Sequence, residues 1–210
     1  MYGENQENVF YYLTLMNESY AMPAMPEGAE EGIRKGIYKL ETYTGNKGKV
    51  QLLSSGTIMN EVRKAAQILS DDYGVASDVY SVTSFNELAR DGQDAERYNM
   101  LHPEAAEKTP YIATVMGTEP AIAATDYMKN YAEQVRGFVP AESYKVLGTD
   151  GFGRSDSRDN LRRHFEVNAS YVVVAALNEL AKRGEVEKSV VAEAIKKFNI
   201  DVEKTNPLHA

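Results

Sequence analysis

The chain has 210 residues, of which 43% are hydrophobic and 26% are charged, a composition typical of soluble globular domains with a sizeable core. The sequence contains no cysteine, which excludes disulfides, thiolate catalysis and cysteine-ligated metal sites, and its net charge of -8 argues against nucleic-acid binding. No apolar run approaches the roughly 20 residues of a membrane helix, and residues 1–7 are not signal-like, so we expect a cytoplasmic protein without a membrane partner.

The first predicted element is a strand over residues 8–16, which are rich in β-branched and aromatic side chains. Because only a short polar stretch precedes this strand, we expect its sheet partners to lie outside the chain. Residues 20–28 contain two prolines and a glycine, which predicts an irregular linker or surface arm. Residues 30–40 have room for a short helix before a turn at residues 45–48.

From residue 49 onward, strands and helices are predicted to alternate. Residues 50–53 form a short apolar strand, and the next apolar residues recur at helical spacing up to a helix end near Gly74. A second strand follows at residues 79–82.

A capping box, formed by Ser84 and Glu87, predicts that the next helix begins near residue 85. We expect this helix to give way to a polar stretch at residues 91–102. Its densest part, residues 91–99, is either a solvated loop or a surface that docks a partner, and the loop is the simpler interpretation.

The following segments complete the sheet and then turn helical. The predicted elements are strands at 111–116, 121–124 and 144–148, with a helix at about 126–135. The short link between the first two strands makes them antiparallel or bent neighbours. Asn168 caps a later helix that stops at Gly184, and the apolar residues from 186 to 198 predict a second amphipathic helix.

This alternation predicts an α/β fold, a three-layer sandwich around a mostly parallel five-stranded sheet with one antiparallel strand, because parallel strands need helical crossovers. The sheet domain is expected to span residues 49–210, with residues 1–48 forming a separate arm.

Two segments are candidates for ligand binding. The turn at residues 54–57 joins a strand to a helix, where backbone N–H groups favour an anion, although a tight turn with a helix cap is the simpler interpretation. Residues 150–158 follow the carboxyl end of the last strand, the edge where ligands collect in open parallel sheets. This second segment is either an interface or channel-lining element or a structured loop that caps the next helix.

Other polar residues give no catalytic arrangement. His102, His164 and His209 are too scattered to suggest a metal site, although His164 could face a cavity between subunits. The basic residues Arg158, Arg162 and Arg163 alternate with aspartates, which is typical of a solvated, salt-bridged helix face. No serine triad or carboxylate pair is persuasive. Met22 and Met25 are either anchors against another surface or ordinary core contacts.

Several long runs together resemble one known family. Residues 8–28 resemble the exit from the middle domain of the homodimeric, bacterial-type pyruvate dehydrogenase decarboxylase component, a transketolase-like thiamine-diphosphate enzyme. Four later runs resemble the carboxy-terminal domain of that family. They are DVYSVTSFNELARDG (78–92), LGTDGFGRSDSR (147–158), HFEV (164–167) and KFNID (197–201).

The resemblance implies a division of labour between domains. It implies that the first two of three α/β domains hold thiamine diphosphate and magnesium, and that residues 1–48 end the middle domain and lead into the third. The third domain would serve assembly as a homodimer and bind no cofactor alone. The implied parent reaction decarboxylates pyruvate and passes the two-carbon unit to the lipoyl group of the acyltransferase component. The matching cofactor motifs are not in this sequence, so no catalytic, cofactor-binding or metal residue is assigned.

Interface or channel-lining positions are nevertheless predicted from the loop and the helix that follows it. These positions are Asp150, Phe152, Arg154, Ser155, Asp156, Arg158 and His164. Two other functions stay open: a standalone regulatory α/β domain that binds a small anion at residues 54–57 or 150–158, and, with less support, an intact small enzyme.

Overall fold

The computed structural model describes residues 2–10, 15–16 and 18–210. The strands are β1 (Ile37–Tyr43), β2 (Lys49–Ser54), β3 (Ala76–Val82), β4 (Ala121–Ala124) and β5 (Tyr144–Leu147). The helices are α1 (Glu30–Lys35), α2 (Ile58–Tyr73), α3 (Phe85–Leu101), α4 (Tyr111–Val115), α5 (Lys129–Glu133), α6 (Arg158–His164), α7 (Ala169–Lys182) and α8 (Lys188–Lys197), followed by a 3-10 turn at Pro207–His209.

Within the described part of the chain, the strands form one five-stranded sheet in the order β1-β3-β2-β4-β5. The β2–β3, β2–β4 and β4–β5 pairs are parallel, whereas β1 pairs with β3 in the antiparallel sense. The predicted α/β class, the number of strands and the single antiparallel strand are therefore confirmed.

Helices cover both faces of the sheet, as predicted for a three-layer sandwich. One face carries a core built from α2, α7 and α8, into which Val50 and Leu52 of β2 project. The opposite face receives Leu53, the residue after Leu52, and packs against α3, α4 and α5. The alternation along β2 follows from the two-residue period of a strand, and full burial on both faces explains its apolar sequence.

The predicted strand at residues 8–16 is not supported by its described part. Residues 11–14 lie outside the described residues, and the flanking residues 8–10 and 15–16 are not in a strand. The irregular segment predicted at residues 20–28 is confirmed, with a turn at residues 27–28.

An edge strand, β1, was missed in the sequence, where only a short helix was expected. The helix is present as α1, but the chain then enters the sheet at Ile37, before the start that was predicted at residue 49. The exposed Lys39 and the half-buried Glu41 interrupt the apolar pattern of β1, and a register shift lies between them. Such charges and irregularities are typical of strands at the edge of a sheet. The assignment of residues 1–48 to a preceding domain stays a prediction.

Helix α3 is longer than predicted because residues 91–101 continue it instead of forming a loop. Within this stretch, Gly92 is buried at a close contact. A Cβ at Gly92 would lie 2.3 Å from the ring of Phe138, so the glycine makes room for the aromatic side chain. The polar residues around it occupy the solvent side of the same helix.

The predicted strand at residues 111–116 is wrong, because Tyr111–Val115 is the short helix α4. Ile112 and Met116 are both buried, which is the four-residue spacing of a helix face. The first backbone N–H, that of Tyr111, donates to Asp91 Oδ2 at 2.6 Å. Tertiary contacts thus override the β-branched composition of this segment.

Predicted helix caps are confirmed in two places. The Ser84 hydroxyl accepts a hydrogen bond from the backbone N–H of Glu87, and the Asn168 side chain accepts one from Tyr171. The helix from Asn168 also ends next to Gly184, as its sequence predicts. Among the helices of the described residues, none combines the length and apolarity required to cross a membrane.

Asp78 on β3 is the most highly connected buried carboxylate of the sheet. It is 4% exposed, and it is paired with Lys49 Nζ at 2.7 Å and Lys39 Nζ at 3.2 Å. The Thr42 hydroxyl donates to it at 2.7 Å. Burial alone would raise the pKa of Asp78, but the bonds from Lys49, Thr42 and Lys39 outweigh it and lower the pKa below its ordinary value.

The Asp78→Asn variant is expected to lose about 2 kcal/mol of unfolding free energy at pH 7, because bonds to a charged acceptor are lost. A carboxyl whose pKa is lowered by folding stabilises the protein above its unfolded pKa of about 4, and this advantage disappears as the pH falls through the folded value. Urea unfolding should therefore show that the wild type is more stable than Asp78→Asn at pH 7, and that this difference in unfolding free energy becomes small at pH 3.5. The Asp71→Asn variant, at an exposed position of α2, serves as control. A difference in unfolding free energy that is the same at both pH values would contradict a stabilising role for the ionised Asp78.

Candidate functional site

The carboxyl ends of β2, β4 and β5 meet at one edge of the sheet, where the structure contains a crevice. The connection after β2 runs through α2 on one face, whereas the connection after β4 runs through α5 on the other face. Neighbouring strands whose connections diverge in this way define a topological switch point, the usual ligand site of open α/β sheets.

The crevice has a volume of about 290 Å³. Its apolar lining comes from Met16, Ile58, Leu161, Phe165 and Val167. Its polar lining comes from Thr57, Asp126, Thr149, Arg154, Arg158 and Arg162, with Gly153 between them. The site therefore combines an apolar wall with a rim that is rich in guanidinium groups.

The two turns that diverge at the switch point are joined by a hydrogen bond. The hydroxyls of Ser55 and Thr125 are 2.9 Å apart, and Gly56 adopts a φ of +58°, which a glycine accepts without strain. The predicted tight turn at residues 54–57 is thus confirmed. The predicted cap is not, because the Thr57 side chain accepts no bond from the first turn of α2.

Arg162 holds one wall of the crevice in place. Its Nη1 lies 3.1 Å from Glu61 Oε1, and both side chains are largely buried. The other oxygen of Glu61 accepts the backbone N–H of Ala169, the first residue of α7, at 2.9 Å. One carboxylate therefore ties α2 to α6 and α7. The sequence placed Arg162 on a solvated helix face, and this interpretation is wrong.

Met16, Glu18 and Tyr20 lie against the rim of the crevice. Met16 belongs to the lining, and the Glu18 carboxylate is paired with Arg158. The Tyr20 hydroxyl donates to Glu18 at 3.0 Å and accepts from Arg162 Nη2 at 3.3 Å. We call the described residues 15–16 and 18–20 the arm segment.

Asp126 is the single carboxylate of the crevice lining. The residue is exposed at the mouth, but its carboxyl is flanked by the crevice walls, and this desolvation raises its pKa. Its own backbone N–H and the positive charge of Arg162 oppose the rise.

Of the predicted interface positions, the structure brings only Arg154 and Arg158 to the crevice. Asp150 instead accepts the backbone N–H of Lys129 at 3.0 Å and so holds the start of α5. Phe152 is 83% exposed, and Ser155 is exposed beside it.

The remaining two positions belong to the ends of α6. Asp156 accepts the side-chain amide of Asn160 at 2.9 Å. His164 is the last residue of α6, packs edge-on against Phe165, and has a buried Nε2 that finds no hydrogen-bond partner among the described residues. The proposed interface role of all these positions stays a prediction.

Sequence reasoning missed Thr149 and Asp126, because a polar residue after a strand is common in any loop. A signal did exist, since both follow predicted strands of a parallel sheet and the carboxyl ends of such strands share an edge. Met16 and Phe165 carried no signal, because apolar residues near a helix or a linker are usually core contacts.

Metal-binding chemistry is not evident among the described residues, which contain no cluster of three or more His, Cys, Asp or Glu suited to an ion. A magnesium diphosphate needs carboxylate and carbonyl oxygens around the metal. The crevice offers Asp126 as its single carboxylate, surrounded by guanidinium groups, so its residues do not fit that group.

The class of this domain follows from sequence comparison. Residues 36–168 match the family described as Transketolase-like TK C-terminal domain, and the chain belongs to that family.

Curated relatives extend the match to almost the whole chain. It is 74% identical over 99% of its length to the pyruvate dehydrogenase E1 component of Escherichia coli (strain K12), covering 23% of that protein. It is 64% identical over 100% of its length to the pyruvate dehydrogenase E1 component of Haemophilus influenzae, covering 24% of it. The chain thus spans about a quarter of the length of these relatives. A transketolase structure from Campylobacter jejuni overlaps 75% of this chain and 20% of its own with a TM-score of 0.49 at 19% identity.

Proposed function

We propose that the chain is the carboxy-terminal assembly and dimerisation domain of a pyruvate dehydrogenase decarboxylase component. The observation that carries this proposal is the 74% identity, over 99% of the chain, to a relative bearing that name of which the chain spans 23%. The parent enzyme would decarboxylate pyruvate with thiamine diphosphate and magnesium, and would reductively acetylate the lipoyl group of an acyltransferase component. Its cofactor-binding and middle domains would lie outside this chain.

Exposed apolar residues support an assembly role. Phe10, Leu15 and Met22 are 86%, 87% and 87% exposed, although large apolar side chains in such numbers rarely remain in water. They lie on the segment that leads into the sheet domain, where a preceding domain would cover them. Residues 1–48 would accordingly include the end of that middle domain.

A second apolar group lies at the carboxyl edge of the sheet and supports contact with another copy. Tyr127, Met128 and Tyr131 are exposed around the start of α5, and Phe152 is exposed on the loop that Asp150 ties to the same helix. Aromatic residues and methionine are enriched in protein interfaces, and two-fold contacts are the commonest in homo-oligomers.

The assembly role predicts that the purified chain binds the missing part of a relative. The Escherichia coli relative, truncated to remove the segment that matches this chain, should form a complex with it in size-exclusion chromatography with light scattering. Replacing Phe10, Leu15 and Met22 together with serine should weaken that complex at least tenfold, since buried apolar anchors dominate such interfaces. A triple serine variant at Met100, Leu101 and Val202, which are exposed elsewhere, is the matched control.

The chain alone should neither bind thiamine diphosphate with magnesium in calorimetric titration nor turn over pyruvate. Micromolar binding of the cofactor, or turnover without an added subunit, would contradict the proposed division of labour.

A second candidate function is a regulatory α/β domain that binds a small anion. It is favoured by one observation: both predicted anion segments supply residues to the same crevice, with Thr57 from one and Arg154 and Arg158 from the other. The two functions are compatible, because the crevice lies within this chain.

A further inference from the structure

The crevice at the switch point combines features that neither the assembly role nor the parent reaction uses. We propose that it is a binding site for a small carboxylate with an apolar tail, and that the arm segment of the chain competes for it. The inference rests on the second candidate function, small-anion binding at this crevice, and is independent of the assembly role, because all the residues that form the site belong to this chain.

The charge at the rim favours a carboxylate. Arg154 has no hydrogen-bond or ion-pair partner among the described residues, and it lies on an exposed loop that faces the crevice. Arg158 is already paired with a carboxylate, that of Glu18. A guanidinium presents a planar pair of donors that matches the two oxygens of a carboxylate.

Below the rim, the crevice is apolar. Ile58, Leu161, Phe165 and Val167 come from α2, α6 and the turn before α7, and together they form a wall that cannot hydrogen-bond to a ligand. A volume of about 290 Å³ is at the lower end of small-molecule pockets. A compact ligand with an aliphatic or aromatic tail fits this chemistry better than a free inorganic anion, which would leave the wall uncovered.

The start of α2 adds a second source of positive potential. Thr57 and Ile58 line the crevice at the amino terminus of this 16-residue helix, and no side chain caps the helix there. The N–H groups of Met59 and Asn60 already donate to the carbonyls of Gly56 and Thr57, so the helix contributes mainly the positive end of its dipole, which interacts favourably with negative charge. This end of the helix reinforces the arginines and is not the site by itself.

The arm segment already presents the two chemical groups that the proposed ligand would carry. Glu18 supplies a carboxylate to Arg158, and Met16 supplies an apolar side chain to the wall. Tyr20 connects the two by bonding both to Glu18 and to Arg162. The arm segment is therefore an internal competitor, and ligand binding would release it.

Isothermal titration of the 210-residue chain with hexanoate tests the proposal. Hexanoate should bind at one site per chain, and Arg154→Gln should weaken it about tenfold, because a charge-assisted bond to the carboxylate is lost. Glu18→Gln should tighten it several-fold, because the competing carboxylate is gone. Arg90→Gln, which removes an exposed arginine that is paired with Glu87 on α3, is the matched control and should change nothing.

Two further probes test the contributions of the carboxylate and of the apolar tail separately. Acetate keeps the charge but not the tail, 1-hexanol keeps the tail but not the charge, and each should bind at least tenfold more weakly than hexanoate. Far-ultraviolet circular dichroism and the urea midpoint verify that each variant is folded. The proposal is overturned if hexanoate gives no heat with the wild type and with Glu18→Gln, if inorganic phosphate binds as tightly as hexanoate, or if Glu18→Gln weakens binding.

Discussion

The Gly45→Ala variant should lose about 3 kcal/mol of unfolding free energy, because overpacking against backbone cannot be relieved by a rotamer change. Gly45 lies in the turn between β1 and β2, pressed against the turn that precedes β3. A Cβ built on it would lie 2.4 Å from both the backbone N of Ala76 and the carbonyl oxygen of Gly74. The same carbonyl accepts the backbone N–H groups of Asn46 and Lys47 at 2.8 and 2.9 Å, so a shift would break those bonds as well.

Urea denaturation followed by circular dichroism measures this loss. Gly137→Ala is the matched control, because a Cβ there meets nothing within 4 Å and its φ is not positive. That control should stay within about 0.5 kcal/mol of the wild type. Equal midpoints for the two variants would show that the turn at Gly45 can open without cost.

Removal of the Glu61 carboxylate should have the next largest effect. Glu61→Ala leaves the guanidinium of Arg162, whose side chain is 13% exposed, without its carboxylate, and leaves the first N–H of α7 without its acceptor. Breaking a fully buried pair costs about 3–5 kcal/mol. Since both side chains retain some contact with water, we expect a loss of about 2 kcal/mol after allowance for solvent screening.

Three further variants separate the two roles of Glu61. Glu61→Gln keeps an acceptor for Ala169 and should lose less than Glu61→Ala. A double-mutant cycle with Arg162→Ala should give a favourable coupling energy between the two side chains. Glu31→Ala removes an exposed partner of Lys35 and should leave the unfolding midpoint unchanged. A Glu61→Ala variant with the wild-type midpoint would rule out this account of the α2–α6–α7 junction.

The sequence predicted the fold class because the buried strands follow local rules. Val50, Leu52 and Leu53 place apolar side chains on both faces of β2, interrupted by Gln51 alone, and this is the pattern of a strand buried on both faces. Asn168 and Ser84 are caps whose bonds reach three residues along the chain, so no tertiary information was needed to place the helices they begin.

The errors occurred where distant contacts decide the local structure. Residues 91–102 were predicted to leave the helix, but the helix continues through Gly92, which packs against the ring of Phe138. Tyr111 was predicted to lie in a strand, but it begins a helix whose first N–H donates to Asp91. Both partners lie at least 20 residues away in sequence or on another element, beyond the reach of periodicity. Two errors also cancelled: a false strand at residues 111–116 replaced the missed edge strand β1, so the number of strands was right for the wrong reason.

The location of the crevice could be predicted from the sequence, but the ion pairs that form its walls could not. A parallel sheet requires the loops after β2, β4 and β5 to share an edge, and the sequence pointed to two of those loops. Nothing local pairs Glu18 with Arg158 or Glu61 with Arg162, since the partners of each pair are separated by 140 and 101 residues.

The irregular segment at residues 21–27 tethers the arm segment to the sheet domain and so keeps it close to the crevice. Exposed ion pairs such as that of Glu18 contribute at most about 1 kcal/mol, which would not hold a free peptide of the same sequence. A continuous backbone changes this, because a short flexible tether keeps its end at an effective concentration in the millimolar range. A single proteolytic nick between Met22 and Met25 would abolish that local concentration, so the arm segment would diffuse away while the sheet and the arginines of the crevice stayed in place.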